Sequence, residues 1–219
     1  MTKVLVLVFT VLFSYLFGSM NSAIVVCRIM KGKDIREYGS NNAGLTNVLR
    51  VFGKPTAAVT LIVDLIKGVV AVLLCKYVAL HFDVEILSNP LFICYLAGIV
   101  VIFGHVFPLY YGFRGGKGVL LTATTLLAID PLTCALALSV FVIVVSLSKY
   151  VSLASILAGI AYPIITFITQ TMRDYDKVWM NVVFTSLIAL LIVVKHRSNI
   201  KRLLSGTENK LSFKSKSKE

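Results

Sequence analysis

The chain of 219 residues is 58% hydrophobic and only 15% charged, against about 25% charged in a soluble domain. Its apolar runs recur at roughly 20 residues each, long enough to cross a ~30 Å hydrocarbon core, which excludes a soluble fold. The net charge of +12 then stops being a nucleic-acid signal: no nucleic-acid partner is expected, and the excess of Lys and Arg is read as a device that orients the chain in a membrane, with affinity for anionic lipid or an anionic substrate as a compatible second reading.

Apolar spans are predicted at residues 4–27, 56–80, 91–111, 118–130, 132–148, 151–170 and 178–194. Only Lys3 precedes the first, whereas Arg28, Lys31, Lys33 and Arg36 follow it. A cleaved secretory signal has the opposite asymmetry, so this run reads as a retained helix with its N-terminus outside. The polar stretch from Asp34 to Arg50 comes next. It is rich in small hydrogen-bonding side chains (Ser40, Asn41, Asn42, Thr46, Asn47) and holds Gly39 and Gly44, where backbone can approach a ligand closely. Arg36 and Arg50 can offer forked donors to phosphate.

Asp64 and Lys67 lie three apart inside the second span and can pair on one helix face. Charges at that depth face the protein interior or a polar cavity. After the third span, the segment from Gly104 through His105 to Gly118 places Gly115, Gly116 and Gly118 around Lys117, just before an apolar helix. Backbone amides at such a helix start, with a lysine beside them, suit an anion. Lys117 is followed by glycine rather than Ser or Thr, so the loop is not a Walker A motif and ATP is not expected.

Asp130-Pro131 splits the next apolar stretch into two short or tilted helices, because a residue before proline disfavours helix. Ser152 and Ser155 open the sixth span, and His196 and Asn199 lie three apart just beyond the seventh. Cys27, Cys75, Cys94 and Cys134 sit in or beside apolar runs with no paired spacing, so they read as buried thiols; no metal and no cofactor are expected.

Placing loops on alternating sides sends 17 of the 22 basic residues to one face. The other face receives Asp83, Glu85, Asp130, Asp174 and Asp176. This predicts seven transmembrane helices with the N-terminus outside and the C-terminus cytoplasmic; a six-span arrangement would put the basic tail outside, against the charge bias. Residues 1–202 are expected to form one transmembrane domain. Residues 203–219, rich in Lys and Ser, are expected to be a disordered cytoplasmic tail.

In their joint order these pieces resemble the bacterial membrane-bound acyl-phosphate:glycerol-3-phosphate acyltransferases, the PlsY family. The match rests on Gly18-Ser19, Gly39 to Arg50, Asp64 to Gly68, Gly104-His105-Val-Phe-Pro108, Gly115 to Gly118, Ser152 to Ile156, and His196 to Asn199 followed by Leu-Leu-Ser-Gly-Thr-Glu-Asn-Lys. The resemblance implies an all-α integral membrane protein of the bacterial cell membrane. It would transfer a fatty acyl group from acyl phosphate to the 1-hydroxyl of glycerol 3-phosphate, giving lysophosphatidic acid and phosphate, and would work alongside an enzyme that makes acyl phosphate. Catalysis would fall to Ser40, Arg50, Lys117 and His196. Substrate binding would fall to Arg36, Asn42, Thr46, Asn47, Lys67, His105, Gly115, Gly116, Gly118, Ser152 and Asn199. The chain departs from the family at Met20-Asn21, where proline is usual, and at Asn41, where glycine is usual. Competing readings are a divergent, weakly active copy of the enzyme and a small-anion transporter; against the latter, no internal repeat is evident and the polar motifs share one side.

Overall fold

The structure is a computed structural model that describes residues 1–211. It is all-helical: α1 (Thr2–Ser19), α2 (Ser22–Lys31), α3 (Leu45–His81), α4 (Phe92–Val106), α5 (Val119–Ile129), α6 (Pro131–Ser148), α7 (Val151–Thr171), α8 (Val178–Lys195) and α9 (Arg197–Leu204). Among the described residues, six segments are long and apolar enough to cross a membrane. The fourth expected span, α5, has 11 residues; at 1.5 Å per residue it reaches about 16 Å and cannot span alone. Among the described residues the apolar helices are thus six long ones and one short one, packed α1 on α4, α4 on α3, α3 on α5, and α6 through α7 to α8.

Lipid supplies no hydrophobic drive between helices, so close backbone approach and buried hydrogen bonds carry the packing. The α1–α4 crossing shows this. Gly18 lies against the Val101 backbone and Gly104 against the Tyr15 backbone, leaving no room for a Cβ at either position. A cluster of Ala71, Val101, Ile102, Leu121, Tyr162, Ile188 and Ile192 joins α3, α4, α5, α7 and α8.

Each helix break has a local cause. The first apolar run is two helices rather than one, because the chain turns at Met20 and Asn21 caps α2 by accepting from the Ile24 amide at 3.1 Å. Asn21 thus starts a helix at the Met20-Asn21 departure from the expected pattern. α3 begins eleven residues before the predicted span: residues 45–52 form an arm, and the helix kinks at Gly53 (φ 80°), with Pro55 following. Asp130 breaks α5 from α6 as expected and caps α6 through Thr133. It also pairs with Arg173 and accepts from Gln170, which in turn bonds Tyr95 and Asn181. This network closes the end of the bundle remote from His105.

Part of the expected tail lies within the described residues. Residues 205–211 fold back on the bundle: the Leu211 amide donates to the Lys149 carbonyl at 2.7 Å, and the Lys210 ammonium lies over the Tyr150 ring. Glu208 gathers three donors in this stretch, from Ser152, Asn199 and Arg202. The remainder of the expected tail, residues 212–219, lies outside the described residues.

Candidate active site

The segment between α2 and α3 is shaped by two side chains. Asp34 caps the turn Ile35–Glu37, accepting from the Arg36 amide, and binds the guanidinium groups of Arg36 and Arg28, each at 2.8 Å. Arg36 hydrogen bonding holds the Asp34 carboxyl well below the usual carboxylate range. Arg36 also donates to the Tyr111 carbonyl at 2.8 Å, tying this loop to the glycine-rich one. Asn47 is buried at the start of α3. Its amide donates to the carbonyls of Tyr38 and Asn42, and its oxygen accepts from the Ser40 amide. Asn41 stands at φ 57° and donates to the Arg36 carbonyl. The left-handed backbone that glycine would supply is thus kept by a residue that tolerates it.

The glycine-rich loop leans on a buried ion pair. Asp64 and Lys67 meet at 3.1 Å with side chains only 2% and 4% exposed. Ser22 donates to Asp64 at 2.7 Å, and Lys67 also reaches the Met20 carbonyl and His105 Nδ1. His105 is buried, and its carbonyl accepts from the Gly116 amide and from Asn21. A Cβ on Gly116 would run into the His105 ring and the Ala43 carbonyl. Gly115 and Gly116 therefore serve close packing, and at least one of the loop amides that could have faced an anion is already occupied.

These supports frame a cleft of about 450 Å³ lined by Ser40, Asn41, Asn42, Phe107, Lys117, Val194, Lys195, Arg197, Ser198 and Arg202. Lys117 donates to the Asn199 Oδ1 at 2.5 Å. The Asn199 amide donates to Glu208 at 2.7 Å, as do Ser152 at 2.9 Å and Arg202 at 2.7 Å. Burial draws the Lys117 ammonium down to about 8; Glu208 opposes that, while Arg202, Arg50 and Lys195 add to it. Burial alone would raise the Glu208 carboxyl, but the hydrogen bonds from Asn199, Ser152 and Arg202 outweigh it and keep the group ionised. His196 is buried, and its Nδ1 lies 2.8 Å from the Ile192 carbonyl, a contact that makes Nδ1 the protonated nitrogen and leaves Nε2 as the acceptor. Burial and then Lys117 push its pKa down to about 4. The ring is neutral at physiological pH.

The structure sorts the sequence-derived residues by place. Ser40, Asn42 and Lys117 line the cleft, and Asn199 and Ser152 stand behind it through Glu208. Arg50 is exposed on the α3 arm, near enough to Lys117 to repel it. Arg36 and Asn47 shape the loop, while Lys67 and His105 lie in the buried pair beneath it rather than on the cleft wall. Thr46 is exposed on the α3 arm outside the lining, and Gly118 is the left-handed N-cap of α5 (φ 81°). Glu208, Lys195, Arg197, Ser198, Arg202 and Phe107 were given no role from sequence, although Phe107, Arg197, Ser198 and Glu208 fall inside the segments that carry the resemblance. Glu208 left a further signal: it is the one acidic residue between Lys195 and Lys218.

A family model described as glycerol-3-phosphate acyltransferase matches residues 8–206. The chain belongs to the glycerol-3-phosphate acyltransferase family. A relative from Chlorobium phaeobacteroides carrying that name is 38% identical, over 91% of this chain and 94% of its own length. Another from Thermoanaerobacter sp. is 39% identical, over 96% and 98%. Among solved structures, the integral membrane glycerol 3-phosphate acyltransferase PlsY in its glycerol 3-phosphate form is similar at a TM-score of 0.78 and 32% identity, over 94% of this chain and 96% of that one. Its lysophosphatidic acid form is similar at a TM-score of 0.76. The family's all-α membrane fold is the fold described above, and the cleft lies where the family-matched segments converge.

Proposed function

We propose that the protein transfers a fatty acyl group from acyl phosphate to the 1-hydroxyl of glycerol 3-phosphate, releasing inorganic phosphate and lysophosphatidic acid. The observation that carries this reading is the cleft itself. Lys117, Lys195, Arg197 and Arg202 meet Ser40 and Asn42 in a space open to apolar Phe107 and Val194. Cations suit phosphates, hydroxyl and amide groups suit a polyol, and the apolar wall suits an acyl chain. Acyl phosphate is already activated, so positioning and charge stabilisation suffice. The acceptor oxygen attacks the acyl carbon, the C–O bond to phosphate breaks, and the departing phosphate takes the proton. One 1-acyl product and one phosphate leave for each pair of substrates.

The basic end of the bundle faces the cytoplasm in this reading, in a bacterial plasma membrane, and residues 1–202 with the strap at 205–211 act as one unit. The donor comes from a separate enzyme that makes acyl phosphates. Palmitoyl phosphate should support turnover and palmitoyl-CoA should not; equal rates with both would sink the donor assignment.

Two kinetic results follow. His196 is buried and outside the cleft lining, and the family resemblance gives it a contact with the acceptor without a role as base, so His196→Ala should lower kcat/KM for glycerol 3-phosphate about tenfold through a lost hydrogen bond. It should leave kcat within about threefold, whereas a fall of about 10²–10⁴ would mark a lost general base. Lys117 carries its charge below a pKa of about 8 and loses it as pH rises through that value. Accordingly kcat/KM for glycerol 3-phosphate should decline above pH 8. Glu208→Gln removes an anion that raises the Lys117 pKa, so it should move the decline to lower pH; a limb that stays in place would disprove the coupling.

A further inference from the structure

The cations of the cleft differ in what they already hold. Lys117 is bonded to Asn199 and Arg202 to Glu208, while Arg197 stands exposed at the start of α9. Lys195 is half-buried at the last turn of α8, and among the described residues its ammonium has neither a carboxylate nor a hydrogen-bond acceptor. It rests over the Phe107 ring at 4.8 Å. An aromatic face holds an ammonium in place while leaving its N–H donors for an anion, and a half-buried cation without such a partner is unfavourable.

Its position in the cleft is equally specific. Val194, the preceding residue, is 51% exposed on the outer surface of α8. Phe107 meets Phe103 in a tilted contact with ring centroids 4.8 Å apart, and Phe103 is 49% exposed on α4. Tyr15 packs on Phe103 and donates to the Phe107 carbonyl. An aromatic and aliphatic strip therefore runs from the membrane-facing surface into the cleft and ends under the Lys195 ammonium. The polar wall, with Ser40, Lys117 and Arg202, completes the lining.

We infer that Lys195 binds the phosphate of the membrane-dissolved, chain-bearing donor, leaving Lys117 and Arg202 to the water-soluble acceptor. This rests on the acyl-transfer reading above. A phosphate with a chain attached reaches the cleft from the strip and meets Lys195 first. An acceptor without a chain gains nothing from Phe107 and Val194.

The test uses the purified full chain in detergent micelles of fixed composition, with palmitoyl phosphate and glycerol 3-phosphate varied independently. Lys195→Met keeps the apolar stem and removes the charge. It should raise KM for palmitoyl phosphate about tenfold or more while KM for glycerol 3-phosphate stays within about twofold, and Lys195→Arg should restore the donor KM to within about threefold. An unchanged donor KM, or a rise confined to glycerol 3-phosphate, would overturn the assignment. Hexadecylphosphonate, which carries a chain and cannot transfer it, gives a readout without turnover. It should raise the thermal midpoint of the wild type and not of Lys195→Met; equal shifts would overturn the inference even in an inactive variant. A Lys195-dependent shift in a wild type that shows no turnover would instead count against acyl transfer and spare the phosphate site. Lysophosphatidate should compete with the phosphonate in the wild type. If Lys195→Met weakened lysophosphatidate alone, the residue would serve the product and the donor assignment would fail.

Discussion

Lys117→Ala should lower kcat/KM for glycerol 3-phosphate by about 10²–10³, the range measured for loss of one preorganised charge-stabilising donor. Lys117 sits in the cleft, is held by Asn199, and has its ammonium drawn down to about 8 chiefly by burial. A buried ammonium is costly in the empty protein, so a bound dianion recovers much of that cost. For the same reason, removing Lys117 should leave the thermal midpoint nearly unchanged or slightly raised. Activity and stability should therefore separate in this variant. Wild-type turnover and affinity would show that the lysine does not hold phosphate, and a large fall in the midpoint would show that it holds the loop instead.

Asp64→Leu should act in the opposite sense, through the fold. Asp64 is buried between Ser22 and Lys67. Removing one partner of a buried pair leaves the other uncompensated, at about 3–5 kcal/mol. Lys67 would lose its carboxylate, His105 would lose the arrangement that seats Gly116, and the glycine-rich loop would loosen. The thermal midpoint in detergent should fall sharply. The double variant Asp64→Leu/Lys67→Met removes both charges and should recover a substantial part of the loss, since apolar replacement of a whole buried pair is often neutral. The double variant also decides whether Lys67 touches substrate. Recovery of stability with kcat near wild type assigns the pair to support, whereas a folded but inactive protein would return Lys67 to the binding site.

The architecture was largely legible because the lipid phase imposes simple rules. An apolar run must become a helix, since backbone groups have no other partner there. The breaks at Asp130-Pro131 and after Ser19 were less evenly readable. Proline announces the first, while the second depends on Asn21 reaching the Ile24 amide, a contact that composition does not reveal. The arm of α3 was missed for a similar reason. Residues 45–52 are mixed in polarity and acquire their helix by packing Leu45, Val48 and Phe52 against Ile35 and Ala23.

The site was legible as a list of residue types more than as a set of roles. Sequence placed Ser40, Asn42 and Lys117 together, and the cleft contains all three. It could not distinguish a residue facing the cleft from one holding the wall behind it. Asn47, Lys67 and His105 have the chemistry of ligand contacts, yet their hydrogen-bonding groups are spent on protein partners. Glu208 shows the converse. Composition assigned it to a disordered tail, because nothing local announces that Ser152 and Asn199, distant in sequence, will donate to its carboxylate.

The central claim is that two phosphate-bearing substrates meet in one cleft and exchange an acyl group. The most direct measurement follows phosphate release and lysophosphatidic acid formation together, with the purified protein, palmitoyl phosphate and glycerol 3-phosphate. The account predicts equal amounts of the two products, each dependent on both substrates and each lost in Lys117→Ala. Phosphate release without glycerol 3-phosphate at the full rate, or a folded protein that forms neither product, would contradict it.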